Sequence, residues 1–175
     1  IIKLLGMDPN EDPDTVTEDD IIELIEDVGE IGALEESQKD MLNNIFEFDD
    51  LEVREVMTHR TDVIAVEINT PIKEAVEVVI NEGFSRIPVF EQTIDDICGV
   101  VFAKDLLKLV LSDDADKFKL KDFMREIKYV PESNSCGELF EYFTSQKNHI
   151  AVAIDEYGGT AGIVTMEDLV ESIVG

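Results

Sequence analysis

The octapeptide "GVVFAKDL" at residues 99–106 returns, altered, as "GIVTMEDL" at residues 162–169. A chain that rewrites a phrase at a spacing of 63 residues is constrained to fold as two copies of one supersecondary unit. The match runs without a gap from Ile87–Leu106 to Ile150–Leu169, with "IPVF" answering "IAVA". Short apolar runs rich in β-branched residues, bounded by turn residues, predict two neighbouring strands in each copy. Ahead of them the period changes. Ile72, Ala75, Val76, Val79 and Ile80 follow the spacing of one buried helical face, and Cys136, Leu139, Phe140 and Phe143 take the matching places.

The helix ends are also marked. Thr70 precedes Pro71 at the first helical position, Ser135 with Glu138 writes a capping box, and Gly83 is placed to end the first helix. A closing helix follows each copy, Leu106, Leu107, Val110 and Leu111 corresponding to Leu169, Val170, Ile173 and Val174. Each copy therefore reads strand, helix, strand, strand, helix. A unit of about 55 to 60 residues is small for a core of its own, so the copies are expected to pack against each other.

The fold class is thus α/β in the α+β sense: two tandem βαββα repeats as a pseudo-symmetric pair, with an N-terminal helical segment. The expected boundaries are 1–50 for a helical connector, 51–114 for the first repeat and 115–175 for the second. In the connector, Thr17 and Asp20 cap a helix carrying Ile21, Leu24, Ile25 and Val28, and a second short helix carries Met41, Leu42, Ile45 and Phe46. The proline-broken opening "IIKLLGMDPNEDPD" reads as a connector cut from something longer.

With 44% apolar residues the chain is a folding sequence, and its formal net charge of −27 argues against nucleic acid and anionic lipid as partners. No run approaches the roughly 18 apolar residues of a membrane span. Cys98 and Cys136 form no CxxC pair and read as buried thiols. "SDDADKF" (112–118) lacks the glycine and distant glutamate of a calcium loop and reads as a polar linker; "EQTIDD" (91–96) reads as a hairpin loop. No Walker loop, GxSxG or HExxH is present, so no catalytic set and no metal site are assigned.

A βαββα unit used twice resembles the CBS domain pair, or Bateman module, over about residues 51–175. The copies open with "VREVMTHRTDVIAV" (53–66) and "LKDFMREIKYVPES" (120–133). "DEYGGTAGIVTMEDLVESIVG" (155–175) and "ALEESQKDMLNNIFEFDDLEVREVMT" (33–58) further resemble the CorC/HlyC-type membrane proteins, the hemolysin-related family similar to the CNNM magnesium transport mediators. One departure is His59, where that family commonly has proline after "MT".

The resemblance implies an N-terminal membrane domain before this region, a CorC-type domain after it, a position on the cytoplasmic side of the membrane, and homodimers formed on the closing helices. It also implies a regulatory adenine nucleotide, AMP or ATP, with Mg²⁺ accompanying a triphosphate, bound between the copies and linked to divalent cation (Mg/Co) transport. The family pattern is Thr or Ser, two residues, then Asp at the start of the closing helix: here Thr165 and Asp168.

The physics suits that role. A helix N-terminus presents free N–H groups and partial positive charge to phosphate, and the aspartate can accept from ribose hydroxyls. By the same resemblance Thr61, Asp62 and Val63, from the opposite copy's lead-in, and Ile150 would border the adenine; Arg60, in the entry loop, and His149, just before its strand, are basic candidates on position alone. T-x-x-D is equally an ordinary capping box. The first copy has Phe102 where Thr165 stands, so its site, with Asp105 and Arg86, is expected to be degenerate and filled by the ring. The alternative is a structural dimerisation or partner-docking module with no bound nucleotide.

Overall fold

The strands of each copy keep one face for their own helices and turn the other toward the sister copy. A computed structural model describes residues 17–30, 32, 35–112, 115–146 and 149–175. The proline-broken opening and residues 113–114 of the linker lie outside the described residues. The described residues fall into two units, one with the first two helices and residues 173–175, the other with residues 48–172.

In the first unit, α1 (Glu18–Glu30) is followed by α2 (Glu36–Glu47). Thr17 and Asp20 cap α1 reciprocally: the Thr17 N–H and hydroxyl donate to Asp20 Oδ2 at 2.8 and 2.7 Å, and the Asp20 N–H returns to Thr17 Oγ1 at 3.3 Å. These bonds hold the Asp20 carboxyl below its usual range. Of the apolar positions named from the sequence, Ile25 is buried, whereas Ile21, Leu24, Met41 and Ile45 are exposed.

In the second unit, copy 1 begins with α3 (Val53–Val56), β1 (Thr58–His59) and a 3-10 turn, Arg60–Asp62. The repeat proper is β2 (Val66–Glu67), α4 (Ile72–Glu82), β3 (Arg86–Phe90), β4 (Ile97–Phe102) and α5 (Ala103–Leu111). Copy 2 repeats it as β5 (Lys128–Pro131), α6 (Cys136–Ser145), β6 (Ile150–Ile154), β7 (Thr160–Thr165) and α7 (Met166–Val174). Within each copy a parallel pair (β2·β3, β5·β6) adjoins an antiparallel hairpin (β3·β4, β6·β7), bulged between Val89 and Phe90 in copy 1 and, one residue further along the repeat, between Ala153 and Ile154 in copy 2.

Gly83 ends α4 with φ +76°, its N–H donating to the Val79 carbonyl at 2.9 Å, and Ser135 caps α6 through the Glu138 N–H at 3.3 Å. Three expectations need correction. Pro71 rather than Thr70 is the N-cap of α4, and no side chain caps it. Ile80 is exposed because, at about 100° per residue, it lies about 90° from the centre of the stripe formed by Ile72, Ala75, Val76 and Val79. The linker is not wholly polar: Ala115 is buried in the copy 1 core, in a 3-10 turn, Ala115–Lys117.

The period of two, shifted by one residue at the bulge that leaves Cys98 unpaired, sets the layering. On β4, Cys98 and Val101 pack with the helices of copy 1, whereas Ile97, Val100 and Phe102 join Ile127, Ile150, Val152 and Ile163 of copy 2 in a shared core. The lead-ins cross over. β1 of copy 1 pairs antiparallel with β7 of copy 2, Thr58 opposite Ile163 and His59 opposite Gly162. Arg125 of copy 2 bridges Val100 of copy 1 at the equivalent place, with both N–H···O bonds at 2.9 Å. This crossing explains the glycine that opens each phrase. A Cβ on Gly162 would stand 2.3 Å from the Thr58 carbonyl oxygen, and one on Gly99 would stand 2.7 Å from that of Arg125.

Candidate functional site between the two copies

Where β7 meets α7 the chain must leave the sheet and satisfy the first amides of a helix. Thr165 and Asp168 do this reciprocally. The Thr165 N–H and hydroxyl donate to Asp168 Oδ2 at 2.6 and 2.7 Å, and the Asp168 N–H donates to Thr165 Oγ1 at 3.3 Å. The Met166 N–H donates to the His149 carbonyl at 3.2 Å. The same box caps α1 on an exposed surface. The box by itself is therefore a cap, and what surrounds it decides whether it is more.

A cleft of about 330 Å³ surrounds it, lined by Thr58, Gly83, Phe84, Ser85 and Arg86 of copy 1 and by Ile150, Thr165, Glu167 and Asp168 of copy 2. Thr58, Phe84, Arg86, Ile150 and Thr165 also line an adjoining recess of about 90 Å³, completed by Asp62, Val63, Ile64, Pro88 and Ile163. One end of the space is apolar, with half-exposed Phe84 and Ile64 and the edges of Ile150 and Ile163. The other end is the α7 N-terminus facing Arg86, whose Nη1 lies 3.5 Å from Glu167 Oε1 and whose Nε is buried without a hydrogen-bond partner. An apolar slot opening onto a helix N-terminus and a cation suits a flat ring joined to an anion.

Of the residues expected from the sequence, Thr165, Asp168, Asp62, Val63 and Ile150 come together on these walls. Thr61, Arg60 and His149 are not among the lining residues. Thr61 is exposed, its hydroxyl donating to Asp62 Oδ2 at 3.3 Å. Arg60 is engaged by Asp95, Nη1 to Oδ1 at 2.5 Å. His149 Nε2 is 3.1 Å from the Gln146 carbonyl, and the ring lies 6.3 Å from that of Phe143.

Arg86 requires reassignment. Expected at the degenerate site, it lines the Thr165 cleft instead, because β3 carries it to the boundary between the copies, with its guanidinium also 5.6 Å from the Phe102 ring. Phe84, Thr58 and Ser85 were not anticipated. The available signal was an aromatic directly after the helix-ending Gly83, in a loop before a strand.

The pseudo-equivalent place in copy 1 is built differently. Phe102 caps α5 with no side-chain hydrogen bond and turns its ring into the shared core. Arg125, the counterpart of Thr58, stacks on that ring at 4.1 Å and binds Asp105, Nη2 to Oδ2, at 2.7 Å. The ring does not fill the space, contrary to expectation: a depression of about 430 Å³ remains, lined by Phe102, Arg125, Glu126, Ile127, Lys128, Tyr142 and Gln146. The carboxylate is what is occupied.

This doubled unit, with crossed lead-ins and an inter-copy cleft, is that of a tandem CBS module. A family model described as CBS domain matches residues 53–112 and 120–175, and the chain belongs to the CBS-domain family.

Within the family it is a pair of the CNNM/CorC type. It superimposes on the CBS domain of a bacterial CNNM/CorC family Mg²⁺ transporter with TM-score 0.85 and 32% identity, over 92% of this chain and 98% of that one. A structure described as that family's CBS domain in complex with ATP matches with TM-score 0.75 and 34% identity, over 79% of this chain and 97% of that one. The chain is 38% identical over 157 residues to the magnesium and cobalt efflux protein CorC of Escherichia coli K12, covering 90% of this chain and 53% of CorC. It is 40% identical over 182 residues to the chloroplastic DUF21 domain-containing protein At1g55930 of Arabidopsis thaliana, covering all of this chain and 27% of that protein. The chain thus spans about half and about a quarter of the length of these two relatives. No helix among the described residues is long and apolar enough to cross a membrane.

Proposed function

We propose that the chain is a regulatory, non-enzymatic module that binds one adenine nucleotide, AMP or ATP, in the cleft at Thr165 and Asp168. It would report the bound state to a membrane domain concerned with divalent cation transport, from the cytoplasmic side. The observation that carries this reading is the contrast between the two clefts. At Thr165 the space joins an apolar slot to a helix N-terminus and Arg86, whereas at Phe102 the hydroxyl is missing and Arg125 holds the matching aspartate. The ATP complex of a CNNM/CorC relative supports the choice of ligand.

In this reading the base lies against Phe84, Ile64 and Ile150. Asp168 accepts from the ribose, and the phosphates meet the Thr165 hydroxyl, the Glu167 N–H and Arg86. Asp62 and Glu167 bring negative charge to the facing walls of this space, so a triphosphate needs a counterion. Among the described residues no group of three or more His, Cys, Asp and Glu side chains could hold a metal ion. Mg²⁺ would therefore arrive on the phosphates. Regulation follows if nucleotide binds one relative arrangement of the copies more tightly than another.

Titration calorimetry with AMP and ATP, with and without Mg²⁺, tests the proposal. One nucleotide per chain is expected, and Thr165→Val with Asp168→Ala should weaken binding more than tenfold. Two equal sites, or unchanged affinity in that double variant, would place the ligand elsewhere. No binding at millimolar nucleotide would leave the partner-docking module as the better reading.

A homodimer on the closing helices is part of the proposal. Leu111 of α5 is 85% exposed and Val170 of α7 is 42% exposed, apolar surface that a second copy would cover.

A further inference from the structure

Asp95 lies in the 3-10 turn Ile94–Asp96 of the β3–β4 hairpin and accepts three hydrogen bonds from two other segments. Arg60 grips it with both ends of the guanidinium, Nη1 to Oδ1 at 2.5 Å and Nη2 to Oδ2 at 2.8 Å. The Thr160 N–H, at the start of β7, donates to the same Oδ1 at 3.1 Å. One carboxylate thus joins the hairpin of copy 1, the lead-in of copy 1 and the hairpin of copy 2.

Arg60 shares its 3-10 turn with Asp62, and the turn closes with the Val63 N–H donating to the Arg60 carbonyl at 3.4 Å. Fixing Arg60 therefore fixes Asp62, Val63 and Ile64, which form one wall of the recess. Thr160 begins the strand that ends at Thr165, on the facing wall. The device exists on one side of the pair only. At the repeat spacing of 63 Asp95 corresponds to Gly158, and with the lead-ins matched at Thr58 and Arg125 Arg60 corresponds to Ile127; neither side chain can make such a bond. The side that carries the latch is the side that carries the Thr165 cleft.

We propose that Asp95 is a positioning residue for the nucleotide: its fork with Arg60 and its bond to Thr160 hold the 60–64 wall at the spacing the ligand requires. The inference rests on the nucleotide reading above. Arg60 and Asp95 keep 45% and 38% of their side-chain surface exposed, so the pair adds little to global stability. Its bidentate geometry, locked by a backbone donor, fixes position instead. If its loss cuts the binding-competent fraction from near one to about a fifth, apparent affinity falls about fivefold.

The experiment compares wild type with Asp95→Ala, Asp95→Asn and Arg60→Lys by calorimetry with ATP and Mg²⁺, by thermal melting, and by amide hydrogen exchange. Asp95→Ala is expected to weaken ATP binding about fivefold while the melting point stays within about 3 °C. Exchange should rise at residues 60–64 but not across β6. Asp95→Asn keeps an acceptor for Thr160 and should lose less affinity than alanine, as should Arg60→Lys, which keeps the charge without the fork. Asp95→Ala binding within twofold of wild type would overturn the proposal, as would an affinity loss accompanied by faster exchange throughout β6. If wild type binds no nucleotide, the ligand reading fails by itself. Exchange in Asp95→Ala then decides the latch: a rise confined to 60–64 supports it, and no rise overturns it.

Discussion

Replacing Gly162 by alanine tests the crossing of the lead-ins at its tightest point. The added methyl would lie 2.3 Å from the Thr58 carbonyl oxygen and 2.9 Å from Met57 Sδ. The methionine sulfur can swing aside, but the carbonyl belongs to β1, which pairs with β7 across this residue. An ordinary carbon–oxygen contact requires about 1 Å more, so β1 must move or β7 must bend. Overpacking of this kind costs about 1–3 kcal/mol, offset by about 0.4–1 kcal/mol because alanine narrows the unfolded ensemble. The net loss is about 1–2 kcal/mol, a fall in melting temperature of about 2–8 °C for a chain of this size.

Gly99→Ala makes the mirror-image test, its methyl meeting the Arg125 carbonyl oxygen at 2.7 Å and Met124 Cγ at 2.4 Å, and should destabilise comparably. The two differ in one respect. Thr58 lines the Thr165 cleft and Arg125 does not, so only Gly162→Ala should also weaken nucleotide binding. Differential scanning calorimetry supplies the stability and titration the affinity. A Gly162→Ala protein melting at or above wild type would refute the reasoning, because β1 could not then cross β7 as closely as described.

Alkaline pH offers another handle. Burial, with the Glu55 carboxylate adding, pushes the Cys136 thiol up to about 11 from its ordinary 9.0. Between these values the unfolded thiol has released its proton and the folded one has not. Stability should therefore fall as pH rises through this window, by up to about 1.4 kcal/mol per pH unit, and Cys136→Ala should show a shallower decline in denaturant titrations. An identical slope in the variant would remove the thiol from the explanation. For the homodimer, light scattering should give twice the chain mass for wild type and a single chain for Leu111→Glu with Val170→Glu; a monomeric wild type would sink that part of the proposal.

The elements were legible because their signals are local. The 3.6-residue period in α4 and α6, the glycine that stops α4 and the serine that caps α6 each act within a turn or two of chain. Thr165 and Asp168 were legible for the same reason, being three residues apart. Ile80 shows the limit of such reading: it continues the pattern arithmetically but has rotated off the buried stripe. Arg60 and Arg86 show another. Both are cations near the junction of the copies, and the sequence contains nothing to say that Asp95, thirty-five residues away, takes the first and leaves the second in the cleft.

By itself the sequence determined that there are two copies, which strands and helices make up the repeat proper of each, and which copy holds a hydroxyl at the head of its closing helix. Periodicity and capping are properties of neighbouring residues, and a repeat advertises itself by self-comparison. Only the tertiary structure decided that the lead-ins cross, that each phrase opens on glycine because a carbonyl from the other copy lies against it, and that Phe84 and Arg86 complete the cleft. Those contacts depend on backbone paths that meet across the boundary between copies, and no short-range rule of propensity reaches that far.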